Sequence, residues 1–151
     1  MIQIGDLCPS FILRGQFGQD FNVVDLLGKK NLVIYFYPKD DTPGCTKEAC
    51  SFRDRFEEFK DLGCEVIGIS SDSEQKHKEF AEKHKLPFIL LADTKQAVRK
   101  AFGVPGSLFG LLPGRVTYII GKDSKVKGIF NSQLNPLGHI EHALELVKSL
   151  N

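Results

Sequence analysis

The stretch Pro38-Lys-Asp-Asp-Thr42-Pro43-Gly44-Cys45-Thr-Lys-Glu48-Ala-Cys50 holds the residues whose types and spacing suit thiol chemistry. Thr42 is a good helix N-cap, and Pro43 suits the first helical position, where its missing N–H would lack a partner anyway. Cys45 then falls near the third position of a helix. Unpaired backbone N–H groups and the positive end of the helix dipole favour a thiolate there. Only the thiolate is a nucleophile. A cysteine taken alone reads as a small buried hydrophobe. The helix start, the Thr-Pro-Gly lead-in and a second cysteine five residues on reverse that reading here.

Cys50 sets a geometric condition. Five residues along an intact helix are ~7.5 Å of rise and ~140° of rotation. The two Cα atoms then stand roughly 8–9 Å apart, beyond the ~7 Å limit for a disulfide. A Cys45–Cys50 bond therefore requires the first turns of the helix to unwind. The pair is also a permitted half of a zinc site. The other half is missing, because His139 and His142 have only two residues between them. No metal is expected. Of the remaining cysteines, Cys64 opens an apolar strand and reads as buried and inert, and Cys8 as a spare thiol. His77 and His84 fall on a polar helix and are expected to face water.

The elements around this stretch follow from periodicity. Residues 31–37 (NLVIYFY) form a nearly continuous apolar run, read as a central buried strand ended by Pro38. The helix that starts at Thr42 carries Ala49, Phe52, Phe56, Phe59 and Leu62 on one face and stops at Gly63. Residues 64–70 and 88–91 read as strands, 73–84 and 94–102 as helices, and 107–114 as a loop with an apolar tip. Residues 116–120 and 125–130 read as a hairpin. Asn135 and Pro136 can start the last helix, with Ile140, Ala143, Leu144 and Val147 inward. Residues 10–13 and 19–24 suggest a small extra hairpin at the N-terminus. This order predicts a single three-layer α/β domain over residues 1–151, with a mixed sheet.

Composition narrows the function. The 151 residues carry 20 Lys+Arg against 19 Asp+Glu, a net charge of +1, which argues against a nucleic-acid binder held by counterion release. No apolar run is long enough to cross a bilayer. Four scattered cysteines do not make a secreted disulfide scaffold and fit a reducing compartment. Met1-Ile-Gln-Ile-Gly has no basic and apolar leader pattern, so no secretory signal is expected. A transit peptide trimmed earlier would leave no trace.

Pro38-x-x-x-Thr42-x-x-Cys45 resembles the active-site signature of the peroxiredoxins. The longer Thr42-Pro43-Gly44-Cys45-Thr46-x-Glu48-x-Cys50 is similar to the peroxiredoxin Q, or bacterioferritin-comigratory-protein, branch. The resemblance extends through residues 66–72 (VIGISSD), 88–93, 102–104 and 114–118, so it spans nearly the whole chain. Residues 111–115 (LLPGR) look most like cyanobacterial and plastid members. The resemblance implies a thioredoxin-like fold and a thiol peroxidase that needs no metal, haem or flavin. It implies Cys45 as the peroxidatic nucleophile and Thr42 as a hydrogen-bond partner of peroxide and thiolate. Pro38 would shield the sulfur, Arg115 would hold the thiolate and orient the peroxide, and Cys50 would be the resolving cysteine. Glu48 reads either as an exposed helix residue or as a brace for Arg115.

The implied substrates are hydrogen peroxide and alkyl hydroperoxides, and the implied reductant is thioredoxin or a similar dithiol. With both cysteines in one chain, a monomer is expected. The implied compartment is a bacterial cytoplasm or a chloroplast. Two rivals remain at this point. A disulfide reductase is disfavoured by the long Cys spacing and the Pro/Thr/Arg set. A redox sensor would use the same disulfide to alter a surface, with Leu108-Phe109-Gly110-Leu111-Leu112 as a docking loop or a cover for the site.

Overall fold

The computed structural model describes residues 1–106 and 113–151, so the expected apolar loop tip lies outside the described residues. The central strand β3 spans Asn31–Phe36, and all six residues are buried. Val33 and Tyr35 enter one core, while Leu32, Ile34 and Phe36 enter the other. Burial on both faces is why the run is apolar throughout instead of alternating. Of the other strands, β1 spans Ile12–Gly15, β2 Asp20–Asn22, β4 Cys64–Ser70, β5 Ile89–Ala92, β6 Val116–Ile120 and β7 Val126–Asn131.

The sheet order is β2-β1-β5-β4-β3-β6-β7. β3 runs parallel to β4 and β4 to β5, while β6 is antiparallel to β3 and β7 to β6. The N-terminal hairpin extends this same sheet, because β1 pairs with β5 at Arg14↔Ala92 and Gly15↔Leu91. A mixed sheet follows, as the hairpin at the chain's end requires.

Helices α1 (Pro43–Asp54), α2 (Phe56–Asp61), α3 (Glu74–His84) and α5 (Pro136–Ser149) pack on one face. They contribute Ala49, Phe52, Phe59, Phe80, Ile140 and Ala143 to the core there. Beneath α1, Tyr35 stacks on Phe52 with ring centroids 4.7 Å apart. The short α4 (Ala97–Phe102) covers the opposite face with Val98 and Phe102, beside Cys8 and Phe11 from the N-terminal segment. The result is the expected α/β/α layering. Among the described residues no helix is long and apolar enough to cross a membrane.

Three features differ from expectation. The single helix from residue 42 to 62 is split at Arg55, whose φ of −107° and ψ of 9° leave the helical region. Gly63 still follows as the stop, at φ +70°. Helix α4 starts later than residue 94, because the Asp93 carboxylate reaches over to accept from the amides of Val98 (3.2 Å) and Arg99 (2.8 Å). Helix α3 is not purely a surface helix, since His77, Phe80 and Ala81 are buried.

Candidate active site

Three elements converge on Cys45. Thr42 precedes α1 in an extended conformation, φ −85° and ψ 153°, and its carbonyl accepts the first helical hydrogen bond from Thr46 N at 2.9 Å. Cys45 is therefore the third residue of α1, where amides have no carbonyl a turn back. The residue is 1% exposed. The antiparallel register Phe36↔Val116 brings the residue before β6 alongside the end of β3. That residue is Arg115. Its Nη2 donates to Cys45 Sγ at 3.4 Å, its Nη1 to Glu48 Oε1 at 2.6 Å, and its Nε to the Gln133 carbonyl at 3.3 Å. Gly44 leaves room for this guanidinium, because a Cβ there would stand 3.0 Å from Nη2.

Glu48 thus braces Arg115 and is fully buried, which settles the two readings of that residue. Burial pushes its carboxyl up to about 8, against the pull of Arg115 in the other direction. Burial also works against the charge on Arg115, yet Glu48 and Cys45 together outweigh it and hold the guanidinium's pKa raised. One guanidinium shared between two acids returns to Glu48 less than burial takes, so the direction for Glu48 is up.

Pro38 and Thr42 line a pocket of about 460 Å³ with Lys39, Ser71, Asp72, Pro113 and Gln133. Thr42 holds the cap position, but its hydroxyl donates to the Lys39 carbonyl at 2.9 Å and makes no capping bond. Cys50 lies half-buried further along α1, and all four cysteines are free thiols.

Several buried polar residues near the site were not assigned a place in it from the sequence. Arg99 donates to the carbonyls of Tyr37 and Gly114, both at 2.9 Å. It thereby ties together the chain just before Pro38 and the chain just before Arg115. His139, on α5, is fully buried and sits 3.6 Å from Glu48 Oε2. Its Nε2 bonds the Ser132 carbonyl at 2.7 Å and its Nδ1 meets Thr117 Oγ1 at 2.8 Å. Burial, with Arg115 adding to it, lowers its pKa to about 4 despite the Ser132 bond. His77 does not face water, contrary to expectation. It is fully buried against Asp40, with Nδ1 2.6 Å from Oδ2. The signal available for both histidines was spacing: His77 stands three and four residues before Phe80 and Ala81, and His139 four before Ala143.

A buried cysteine at a helix start, held by an arginine that a buried glutamate braces, is built for thiolate chemistry. The sequence profile of the AhpC/TSA family matches residues 4–129. The chain belongs to the AhpC/TSA family. Within that family it is similar to peroxiredoxin Q, chloroplastic, from Sedum lineare, with 51% identity over 146 residues, 97% of this chain and 78% of the relative. The Arabidopsis thaliana peroxiredoxin Q, chloroplastic, is 50% identical over 145 residues, 96% and 67% of the two chains.

Solved AhpC/TSA-type structures agree. Peroxidoxin BcpB from Mycobacterium tuberculosis superposes with a TM-score of 0.91 at 35% identity, covering 100% of this chain and 99% of that one. A Xanthomonas campestris peroxiredoxin Q gives a TM-score of 0.84 at 30% identity, covering 92% and 90%. The chain is a peroxiredoxin of the Q branch with the expected thioredoxin-like α/β fold, and its activity is that of a thiol-dependent peroxidase.

Proposed function

We propose that Cys45 is the peroxidatic thiol, Cys50 the resolving thiol, and Arg115, Thr42 and Pro38 the residues that make Cys45 competent. The observation that carries this reading is the 3.4 Å contact from the Arg115 guanidinium to a cysteine at a helix start. The thiolate attacks one oxygen of the peroxide, the O–O bond breaks, and the departing alkoxide or hydroxide takes up a proton. Cys45 is left as a sulfenic acid. A charged fork of donors beside the sulfur and the breaking bond lowers that barrier. Thr42 and Pro38 shape the pocket through which hydrogen peroxide or an alkyl hydroperoxide would reach the sulfur. Cys50 then attacks the sulfenic sulfur, water leaves, and a Cys45–Cys50 disulfide closes. An external dithiol of the thioredoxin kind reopens it by exchange.

Because both thiols lie on α1, the disulfide requires the helix start to unwind and refold in each cycle. A single chain suffices, so the working unit is a monomer in a compartment that supplies reduced dithiol, a bacterial cytoplasm or a chloroplast. The test is peroxide-dependent turnover with a thioredoxin system, on wild type, Cys45→Ser and Cys50→Ser. Both variants should lose turnover, with Cys50→Ser still trapping one sulfenic acid. Steady turnover in Cys45→Ser would overturn the assignment. A sensor would respond once per chain, whereas this enzyme should consume many peroxides.

A further inference from the structure

The loop that carries Pro38 and Thr42 is fastened on the side away from Arg115. Asp40 accepts from the Tyr37 hydroxyl at 2.6 Å through Oδ1 and meets His77 Nδ1 at 2.6 Å through Oδ2. Its amide donates to Asp72 Oδ2 at 2.8 Å, and that oxygen also accepts from Ser70 Oγ at 2.7 Å. All five side chains are buried; Asp72, the most exposed of them at 9%, lines the pocket. His77 in turn reaches the Leu91 carbonyl through Nε2 at 2.9 Å.

A carbonyl only accepts, so Nε2 carries a hydrogen. A neutral imidazole would then present a bare lone pair at Nδ1. A 2.6 Å approach to a carboxylate oxygen requires a proton between Nδ1 and Oδ2. The pair therefore holds a buried proton in a short, charge-assisted bond, a class about twice as strong as a neutral one. The next residue, Asp41, sits at φ +62°, a left-handed conformation that L side chains adopt only at a cost. Asp41 also accepts from Lys83 of α3 at 3.2 Å, in an exposed pair, so the Asp40 side chain supplies the buried tie from the loop to α3 and, through His77, to β5.

We propose that Asp40 and His77 are positioning residues for the peroxide step: their shared proton clamps the 38–42 loop, and so holds Pro38 and Thr42 in register with Cys45. This rests on Cys45 being the thiol that meets peroxide. The clamp lies upstream of Pro43, outside the segment that must unwind for the disulfide. It therefore acts on Cys45 oxidation and not on attack by Cys50, and it keeps one wall of the pocket in place while α1 reforms.

The experiment measures the two steps separately. Sulfenic acid formation is timed by dimedone trapping and mass spectrometry in a Cys50→Ser background, and disulfide closure by quenched thiol counting with Cys50 present. Asp40→Ala and His77→Gln should slow the first step roughly tenfold or more, as misplacement by a fraction of an ångström does. The second step should stay within about twofold. Asp40→Asn should restore most of the first step, because its amide can donate to a neutral Nδ1 while its oxygen still accepts from Tyr37. His77→Asn, which keeps a donor toward Asp40, should exceed His77→Gln and carries the comparison if Asp40→Ala does not fold.

The wild type should also show a downfield imidazole proton by NMR that Asp40→Asn lacks. Its absence would overturn the shared proton. A first step at the wild-type rate in folded Asp40→Ala or His77→Gln would overturn the clamp. So would equal slowing of both steps, or an Asp40→Asn as slow as Asp40→Ala. A wrong assignment of Cys45 is distinguishable, because the Cys50→Ser parent would then form no adduct at Cys45 at all.

Discussion

Cys45 and Cys64 are buried almost equally, at 1% and 4% exposure, yet their surroundings prepare them for opposite fates. Cys64 Sγ faces a carbonyl, that of Glu65 at 3.5 Å, and can only donate to it. Burial, with Glu65 nearby, pushes its thiol up to about 12 despite a weaker pull down from the Val33 backbone. Cys8 repeats the pattern: its sulfur donates to the Pro9 carbonyl at 3.4 Å, and burial pushes it up to about 12. Cys45 instead receives a donor from a guanidinium. On the proposed assignment, what separates a structural thiol from the nucleophile is chiefly the group the sulfur faces. The helix start and the β3–β6 register exist, in this respect, to bring Arg115 to one cysteine and not to the others.

The comparison breaks first at Arg115. Arg115→Met removes the donor to Cys45 and strands Glu48 as a buried, unpartnered acid. The rate of Cys45 oxidation should fall ~10²–10³-fold, the usual cost of losing one donor aimed at developing charge. Unfolding in denaturant should show a loss of about 1–3 kcal/mol, the cost of an unsatisfied buried polar group, because the raised Glu48 carboxyl can keep its proton. Arg115→Lys keeps a charge but has one nitrogen for three partners, Cys45, Glu48 and Gln133. It should recover only part of the rate. An Arg115→Met protein that oxidises Cys45 at the wild-type rate would show that the guanidinium is not what separates Cys45 from Cys64.

The two sides of the site also differ in how far the sequence disclosed them. β3 was readable because burial on both faces demands an unbroken apolar run. The start of α1 and of α5 was readable because Thr42-Pro43 and Asn135-Pro136 are local signals, and Asn135 does accept from Gly138 N at 3.1 Å. The roles proposed for Thr42, Arg115 and Pro38 came from the family motif, and none follows from spacing alone. The buried polar residues stayed hidden for one physical reason. His77 is stabilised by Asp40, 37 positions away, and Arg115 by Glu48, 67 positions away. A polar side chain on an inner face is tolerated only if a partner meets it, and the partner is set by tertiary structure. Periodicity could place His77 and His139 on inner faces, but it could not supply Asp40 or Thr117.

A smaller test sharpens the charge account around Glu48 and His139. The carboxyl of Glu48 is raised from 4.5 to about 8, so the folded protein holds a proton there that the unfolded chain has released. Its contribution is present below pH 4.5 and is lost as pH rises to about 8. His139 is lowered from 6.5 to about 4, so its contribution is present above pH 6.5 and is lost as pH falls to about 4. Between pH 4.5 and 6.5 the two slopes oppose each other. From pH 6.5 to 8 only that of Glu48 remains, and stability should decline with rising pH by at most about 1.4 kcal/mol per unit. Urea midpoints across this range check it, and Glu48→Gln should flatten the alkaline decline. A decline unchanged in Glu48→Gln would assign it elsewhere and leave Glu48 as a carboxylate paired with Arg115.

The smallest expected effect lies on the other side of the comparison. If facing a carbonyl keeps a buried thiol inert, Cys8→Ser and Cys64→Ala should each leave peroxide turnover within about twofold of wild type, since neither touches the site. Serine loses little volume at Cys8, and alanine removes one buried sulfur at Cys64, a change of about 1 kcal/mol or less on the scale of a buried methylene. The more searching version uses Cys45→Ser. Treated with excess hydrogen peroxide, that protein should keep Cys8 and Cys64 as free thiols, read by peptide mass mapping. With both thiols pushed up to about 12, the thiolate fraction at pH 8 is of order 10⁻⁴. Oxidation of Cys64 at a rate near that of Cys45 would mean that burial beside a carbonyl does not silence a thiol here, and the contrast with Arg115 would lose its force.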